Sequence, residues 1–128
     1  MKVIASLLLT TVLASAETEY VIAVSAPTAA DTAWQPVVEK LRAKHRANTV
    51  TWTAAPAEIL PALQKDQPRF VCFVATPKET TRDFVQTVHR LMRRLDSDPY
   101  TDTRWGILTG FDAVNALAIA SEEKPLTI

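Results

Sequence analysis

Two nearly continuous apolar runs constrain the fold of this chain more than any other feature. Tyr20–Ser25 reads YVIAVS and residues 70–75 read FVCFVA, and neither run alternates between apolar and polar side chains. Strands that are buried on both faces have this pattern, as in parallel sheets covered by helices. Residues 49–53 and 105–109 are shorter runs rich in β-branched and aromatic residues, and they complete a set of four predicted strands.

Segments with helical periodicity separate the predicted strands. The clearest is residues 84–95, where apolar residues at three- and four-residue spacing form one stripe and arginines take the other side. Residues 34–45 have a similar stripe, and Asp31 is placed as the N-cap of that helix. A weaker pattern covers residues 55–65, where Pro61 falls inside the predicted helix and would shorten or kink it.

A fourth helix follows the last strand, with Asp112 as its predicted N-cap. Strand and helix therefore alternate, with strand starts spaced roughly as βαβ units of about 30 residues require. The sequence predicts an α/β fold, a parallel sheet with helices on both faces and a flavodoxin-like order of elements. Residues 126–128, LTI, resemble the start of a fifth strand, so we expect a chain truncated within its sheet.

The first sixteen residues have the pattern of a cleavable export signal. Lys2 precedes an apolar run over residues 3–13 and then Ala14-Ser15-Ala16, the small-x-small pattern after which signal peptidase cuts. We expect residues 1–16 to be removed and residues 17–128 to form the amino-terminal part of a single α/β domain. A bilayer span takes about 20 apolar residues, so we expect no membrane span and a periplasmic, cell-surface or secreted protein.

The charge and composition of the mature part exclude several classes of function. Removal of Lys2 reduces the 14 basic side chains to 13, against 14 acidic ones, and near-neutrality argues against binding to nucleic acid. Cys72 is the only cysteine, so no intramolecular disulfide can form and packing alone must hold the exported fold. Two glycines in the whole chain are too few for a GxGxxG turn or a P-loop.

Few side chains in this sequence have the setting of a reactive group. Cys72 lies inside a predicted strand between apolar neighbours, which indicates a small buried hydrophobe rather than a nucleophile. His45 stands at a predicted helix end, where the helix dipole favours a cation. His89 flanks the apolar stripe of the third helix, where packing is the simpler interpretation. We therefore assign neither a catalytic residue nor a substrate-binding residue.

An acidic loop at residues 96–102, DSDPYTD, holds the candidate metal ligands. Asp96, Asp98 and Asp102 would supply closely spaced carboxylate oxygens, which are the ligands that calcium requires. The loop lacks the glycine and the terminal glutamate of an EF-hand loop. An acidic turn without a metal is the competing interpretation, and calcium is the one cofactor considered.

Two stretches of the chain resemble the amino-terminal part of gingipain-type cysteine peptidases, family C25. They are residues 68–77, PRFVCFVATP, and residues 88–120, which combine DPYTD with WGILTG. The resemblance covers residues 20–128 and implies a caspase-like parallel α/β sheet, with a Cys-His dyad at strand ends in which the histidine activates the thiolate. No residue of this sequence matches the dyad, so the resemblance places it downstream of Ile128.

The resemblance implies the amino-terminal segment of an exported gingipain-like cysteine endopeptidase domain, inactive by itself. Its partners would be the remainder of its own chain and, at full length, a protein or peptide substrate. An alternative is a non-catalytic exported binding or adhesion module that uses the strand-end loops and the acidic loop. A third interpretation is a self-contained hydrolase acting through Asp112 or Asp102, for which no nucleophile and base can be paired.

Overall fold

A computed structural model describes residues 19–98, 100 and 102–124 of this chain. Within them the strands are β1 (Tyr20–Ser25), β2 (Asn48–Trp52), β3 (Phe70–Val74) and β4 (Arg104–Leu108). The helices are α1 (Ala26–Ala30), α2 (Gln35–His45), α3 (Leu60–Asp66), α4 (Arg82–Met92) and α5 (Ala113–Ser121), with a 3-10 helix at Pro56–Ile59 before α3. The predicted export signal and the predicted fifth strand at residues 126–128 lie outside the described residues.

The four strands form one parallel sheet in the order β2-β1-β3-β4. β1 is central, since Val21 pairs with Asn48 of β2 on one side and with Val71 of β3 on the other. β3 in turn pairs with β4, where Cys72 faces Gly106. This confirms the predicted α/β fold with a parallel sheet, and the order matches the first four strands of a flavodoxin-like sheet.

Helices cover both faces of the sheet, as the continuous apolar runs predict. On one face, which we call the α4 face, Val21 and Phe73 pack with α3 and α4. On the opposite α2 face, Ile22 and Val74 pack with α2 and α5. Successive residues of a strand point to opposite faces, so each central strand contributes to both cores.

One local expectation was wrong, and one short helix was not predicted. No periodic pattern predicts α1, because it is only five residues long. Asp31 is not the N-cap of α2, which begins after Trp34. The Asp31 carboxylate instead accepts the backbone N–H of Ala33 at 2.9 Å and closes a turn before the helix.

Pro61 divides the segment that was predicted as one weak helix. The chain forms a 3-10 helix over Pro56–Ile59 and then starts α3 at Leu60, which places Pro61 in the first turn of α3. Backbone N–H groups in the first turn of a helix have no acceptor within the helix, so proline, which lacks this group, is tolerated there. No helix in the described part of the chain is long and apolar enough to cross a membrane.

Candidate functional site

A sheet with this strand order usually binds ligands in the crevice between the carboxyl ends of β1 and β3. The chain leaves β1 toward β2 on one side and leaves β3 toward β4 on the other, so the two connections diverge at this point. The loops that follow β1 and β3 form the walls of the crevice. Four polar residues converge there and are called the Glu79 cluster: Ser25, Thr28, Thr76 and Glu79.

The carboxylate of Glu79 is the centre of this cluster. Its Oε2 accepts a hydrogen bond from Ser25 Oγ at 2.6 Å. Its Oε1 accepts hydrogen bonds from Thr28 Oγ1 at 2.5 Å and from the backbone N–H of Thr76 at 3.0 Å. Both carboxylate oxygens are therefore satisfied by donors that come from two different loops.

Local capping interactions hold each member of the Glu79 cluster in position. Ser25 ends β1 and is the N-cap of α1, because the N–H of Thr28 donates to Ser25 Oγ at 3.3 Å. After β3, the N–H of Glu79 donates to Thr76 Oγ1 at 3.2 Å. The Thr76 carbonyl also accepts the N–H groups of Glu79 and Thr80, both at 3.1 Å. The end of β1 thus positions the hydroxyl donors of Ser25 and Thr28, and the loop after β3 positions the carboxylate of Glu79.

Burial and hydrogen bonding act on the pKa of Glu79 in opposite directions. Burial by itself raises the pKa, because it disfavours the charged carboxylate. Hydrogen bonds from Ser25, Thr28 and Thr76 outweigh that effect and hold the pKa below its ordinary value. Glu79 is therefore ionised at neutral pH. A carboxylate with a lowered pKa is a weak proton acceptor, so it does not activate Ser25 as a nucleophile.

Near the other two strand ends, Glu58, Asp112 and Asn115 are engaged in local caps, whereas the buried Thr109 hydroxyl directly after β4 has no hydrogen-bond partner among the described residues. After β2, the carboxylate of Glu58 accepts the backbone N–H groups of residues 53–55 at 3.2, 2.7 and 2.5 Å. After β4, Asp112 Oδ1 accepts the N–H of Asn115 at 2.8 Å, which confirms the predicted N-cap of the last helix. Asn115 Oδ1 in turn accepts the N–H of Phe111 at 3.1 Å. These groups organise the loops and are not aimed into the crevice between β1 and β3.

Cys72 is buried in β3, as its apolar neighbours predict. Burial raises the pKa of the thiol to about 11, although hydrogen bonds from the Tyr20 hydroxyl and the Leu108 backbone act in the opposite direction. The thiol is therefore protonated at neutral pH, whereas a nucleophilic cysteine reacts as the thiolate. Its side-chain partner is Tyr20 rather than a histidine.

Both histidines have aromatic neighbours instead of a catalytic setting. His45 ends α2 and stacks on the ring of Tyr20, with ring centroids 4.1 Å apart and planes 2° from parallel. Burial and then the charge of Lys44 lower the pKa of His45. His89 is on the exposed side of α4, where its ring centroid lies 6.2 Å from that of Trp105. His89 is exposed, so of the predicted packing role the structure shows only this ring contact with Trp105.

The acidic loop does not gather its aspartates into a metal site. Asp96 Oδ1 accepts the N–H of Asp98, and Asp98 Oδ1 accepts the N–H of Tyr100, each at 2.9 Å. Bonds of this kind close Asx turns. Across residues 19–98, 100 and 102–124, no group of three His, Cys, Asp or Glu side chains could hold a metal ion. The expectation of calcium bound by Asp96, Asp98 and Asp102 is therefore not supported, and the acidic-turn interpretation fits the geometry.

A second concave feature lies along the whole of β4, from Arg104 at its start to Thr109 just beyond its end. It is an apolar groove of about 480 Å³ that is also lined by residues of β1 and β3. Tyr20, Cys72, Leu108 and Ile119 contribute to its lining on the α2 face. Sequence reasoning does not locate this groove, because it depends on which strand lies at the sheet edge and on where α5 packs.

The strand-end loops could be located from the sequence, but sequence reasoning missed Glu79 and could not have found Thr28. A signal for Glu79 was present, because Thr76-Pro77-Lys78-Glu79 follows β3 directly and has the S/T-x-x-E spacing of a capping box. Thr28 has no comparable signal, because α1 is too short to show periodicity.

Comparison with models of known protein families finds none that matches this chain, and comparison with curated proteins finds no related sequence. The function is therefore inferred from the site itself, together with the resemblance to gingipain-type peptidases.

Proposed function

We propose that this chain is the non-catalytic amino-terminal segment of an exported gingipain-like cysteine endopeptidase domain, with its Cys-His dyad downstream. The observation that carries this proposal is the Glu79 cluster. The crevice in which such a sheet usually binds its ligand is occupied here by a carboxylate engaged by Ser25, Thr28 and Thr76. A segment that supplies sheet and core without a reaction centre is what the resemblance implies.

The strand order supports the same proposal. A parallel sheet in the order β2-β1-β3-β4 with helices on both faces agrees with the caspase-like architecture that the resemblance implies. The state of Cys72 also agrees with a non-catalytic role. Cys72 is 8% exposed, and burial raises the pKa of its thiol.

The proposal can be tested with the chain purified after export. We expect no cleavage of unfolded protein or of peptide substrates, and no labelling of Cys72 by a peptidyl chloromethyl ketone. The variant Cys72→Ala is expected to behave in the same way. A form that includes the downstream coding sequence is expected to cleave peptides and to be inactivated by thiol alkylation. Cleavage by residues 17–128 that disappears in Cys72→Ala would contradict the proposal.

One observation favours a second candidate, a non-catalytic binding or adhesion module. Phe111 lies in the loop that follows β4, and 94% of its surface is exposed. Aromatic residues at a protein surface are enriched in binding interfaces. This candidate predicts that Phe111→Ala abolishes binding of the exported chain to its target, and that the coding sequence downstream contains no Cys-His dyad.

A further inference from the structure

The floor of the apolar groove is the α2 face of β4. Arg104, Gly106 and Leu108 alternate along the strand, and because Leu108 packs with the core of the α2 face, all three point to that face. Gly106 pairs with Cys72 of β3, which belongs to the same core. Ile119 of α5 also lines the groove and is half exposed. The helices therefore leave this part of the sheet open.

Gly106 deepens the groove at the centre of β4. A Cβ added to this residue would meet nothing within 4 Å, so the space above it is open. Its φ is not positive, so the backbone conformation does not require glycine. A glycine inside a strand weakens that strand and often marks a site where a ligand approaches closely. The missing Cβ places such an approach over the α2 face and not at the edge of the sheet.

The groove has the size of a small-molecule site. Its volume of about 480 Å³ lies within the range of roughly 300–1,000 Å³ that ligand sites usually occupy, and such sites are mostly apolar. The lining runs from Arg104 to Thr109. Along an extended strand this is roughly 16 Å, a length that a saturated chain of about ten carbons spans.

The two ends of the groove differ in charge. Arg104, at one end, is the charged residue among the described residues of the lining, and its guanidinium forms neither an ion pair nor a side-chain hydrogen bond with any of the residues that the structure describes. At the other end the hydroxyl of Thr109 is buried, so this residue presents only the apolar part of its side chain. A guanidinium binds a carboxylate through two parallel N–H···O bonds. The groove therefore combines one anion-binding end with an apolar remainder.

We propose that this groove binds an unbranched hydrocarbon chain with one anionic end, of the fatty-acid class. The carboxylate lies at Arg104, and the chain passes over Gly106 toward Thr109. The proposal goes beyond the proposed function and does not rest on it, because the site uses residues of this chain alone. A further strand beside β4 would add a wall to the groove and leave its floor open, so a sheet extended by downstream strands is compatible with the site.

An extended peptide fits this groove less well than a hydrocarbon chain does. Each residue of a peptide needs partners for its backbone N–H and C=O groups when it is buried. The floor is a sheet face, which presents side chains and not backbone groups. Besides Arg104 and the buried Thr109 hydroxyl, the described lining contains only the Tyr20 hydroxyl and the Cys72 thiol as polar side-chain groups. A hydrocarbon chain needs no such partners along its length.

Isotopic labelling of the glycine nitrogens tests the site directly, because the chain contains two glycines. In the chain purified after export, nuclear magnetic resonance should show one amide signal for each, and Gly106→Ala identifies the signal of Gly106. We expect decanoate, below the concentration at which it forms micelles, to shift the Gly106 signal until the site is saturated. Decylammonium has the same chain with the opposite charge, and we expect it to bind at least about tenfold more weakly.

Two substitutions with matched controls separate the charge from the apolar floor. Arg104→Gln is expected to weaken decanoate binding by about tenfold, whereas Arg90→Gln, on the exposed side of α4, leaves it unchanged. Gly106→Leu fills the groove and is expected to abolish binding. Thr49→Leu adds the same side chain to the exposed α2 face of β2, where Thr49 pairs with Ile22, and is expected to leave binding intact. Circular dichroism verifies that each variant is folded.

The absence of a saturable shift of the Gly106 signal in the unmodified chain would overturn the proposal. So would equal affinity for decanoate and decylammonium, or undiminished binding by a folded Gly106→Leu variant. In a form that includes the downstream coding sequence we expect decanoate to bind as well. Loss of binding there would show that the chain itself covers the groove, and the proposal would fail. The proposed function fails on a different result, the lack of a Cys-His dyad downstream, so the two failures are distinguishable.

Discussion

The hydroxyl of Ser25 and the carboxylate of Glu79 are 54 residues apart in the sequence and 2.6 Å apart in the structure. Ser25 ends β1, and Glu79 follows β3, so this hydrogen bond joins the two loops that line the crevice between these central strands. The bond from Thr28 to the same carboxylate makes the connection bidentate. The crevice is therefore closed by the protein's own side chains.

The first prediction concerns the stability that this link provides. In Glu79→Gln one carboxylate oxygen becomes an amide donor, so a buried hydroxyl loses its acceptor. We expect the free energy of unfolding to fall by about 1–3 kcal/mol, measured by urea denaturation with tryptophan fluorescence. Glu39→Gln is the control, because its pair with Arg42 is exposed and is expected to contribute less than about 1 kcal/mol. Equal effects of the two substitutions would contradict a structural role for Glu79.

The second prediction concerns pH. The folded-state pKa of Glu79 is lower than its ordinary value of 4.5, so the unfolded chain binds protons more readily at this group. Its contribution to stability is complete above pH 4.5 and is lost as the pH falls through the folded-state pKa. We expect the wild-type chain to lose stability more steeply below pH 4.5 than Glu79→Gln does. Parallel curves of unfolding free energy against pH would show that Glu79 is not linked to folding.

The third prediction compares the two glycines. A Cβ at Gly110 would lie 2.7 Å from the Ala116 backbone nitrogen and 2.8 Å from Asn115 Oδ1, whereas one at Gly106 would meet nothing within 4 Å. We expect Gly110→Ala to destabilise the fold by about 1–3 kcal/mol, because backbone of α5 must move. Gly106→Ala is expected to change stability by less than about 1 kcal/mol. Thermal melts followed by circular dichroism test both, and a larger loss in Gly106→Ala would be incompatible with the structure.

The fourth prediction concerns the thiol of Cys72. Because the side chain is buried and its pKa is raised to about 11, we expect very slow reaction with a disulfide reagent at pH 8 in the folded protein. In denaturant the reaction should become as fast as that of a free cysteine. The release of the coloured leaving group measures both rates. Rapid reaction in the folded state would mean that Cys72 is accessible as a thiolate.

Much of the fold could be predicted from sequence, because strands that are buried on both faces of a parallel sheet consist of nearly continuous apolar residues. The strand predicted at residues 49–53 differs from Asn48–Trp52 by one position at each end, and β1 agrees at both ends. Cys72 was correctly interpreted as buried, since its neighbours are apolar on both sides. These features could be predicted because each depends on residues that are adjacent in the sequence.

The candidate site was harder to predict, because it depends on residues that meet only in three dimensions. Nothing in the local sequence around Ser25 indicates that its hydroxyl donates to Glu79. For the acidic loop the sequence left calcium binding and an acidic turn open, and the bonds from the backbone N–H groups of Asp98 and Tyr100 to Asp96 and Asp98 fit the turn. The groove along β4 could not be located from the sequence, because its position depends on which strand lies at the sheet edge and on where α5 packs.

The most direct test of the central proposal is to read the coding sequence in frame beyond Ile128. We predict that it continues into further strand and helix units, with a histidine and a cysteine that each follow an apolar strand. Those two residues would then be replaced by alanine, and both variants should lose peptidase activity. A stop codon within a few codons, or a continuation without such a pair, would contradict the assignment of this chain to a gingipain-like peptidase.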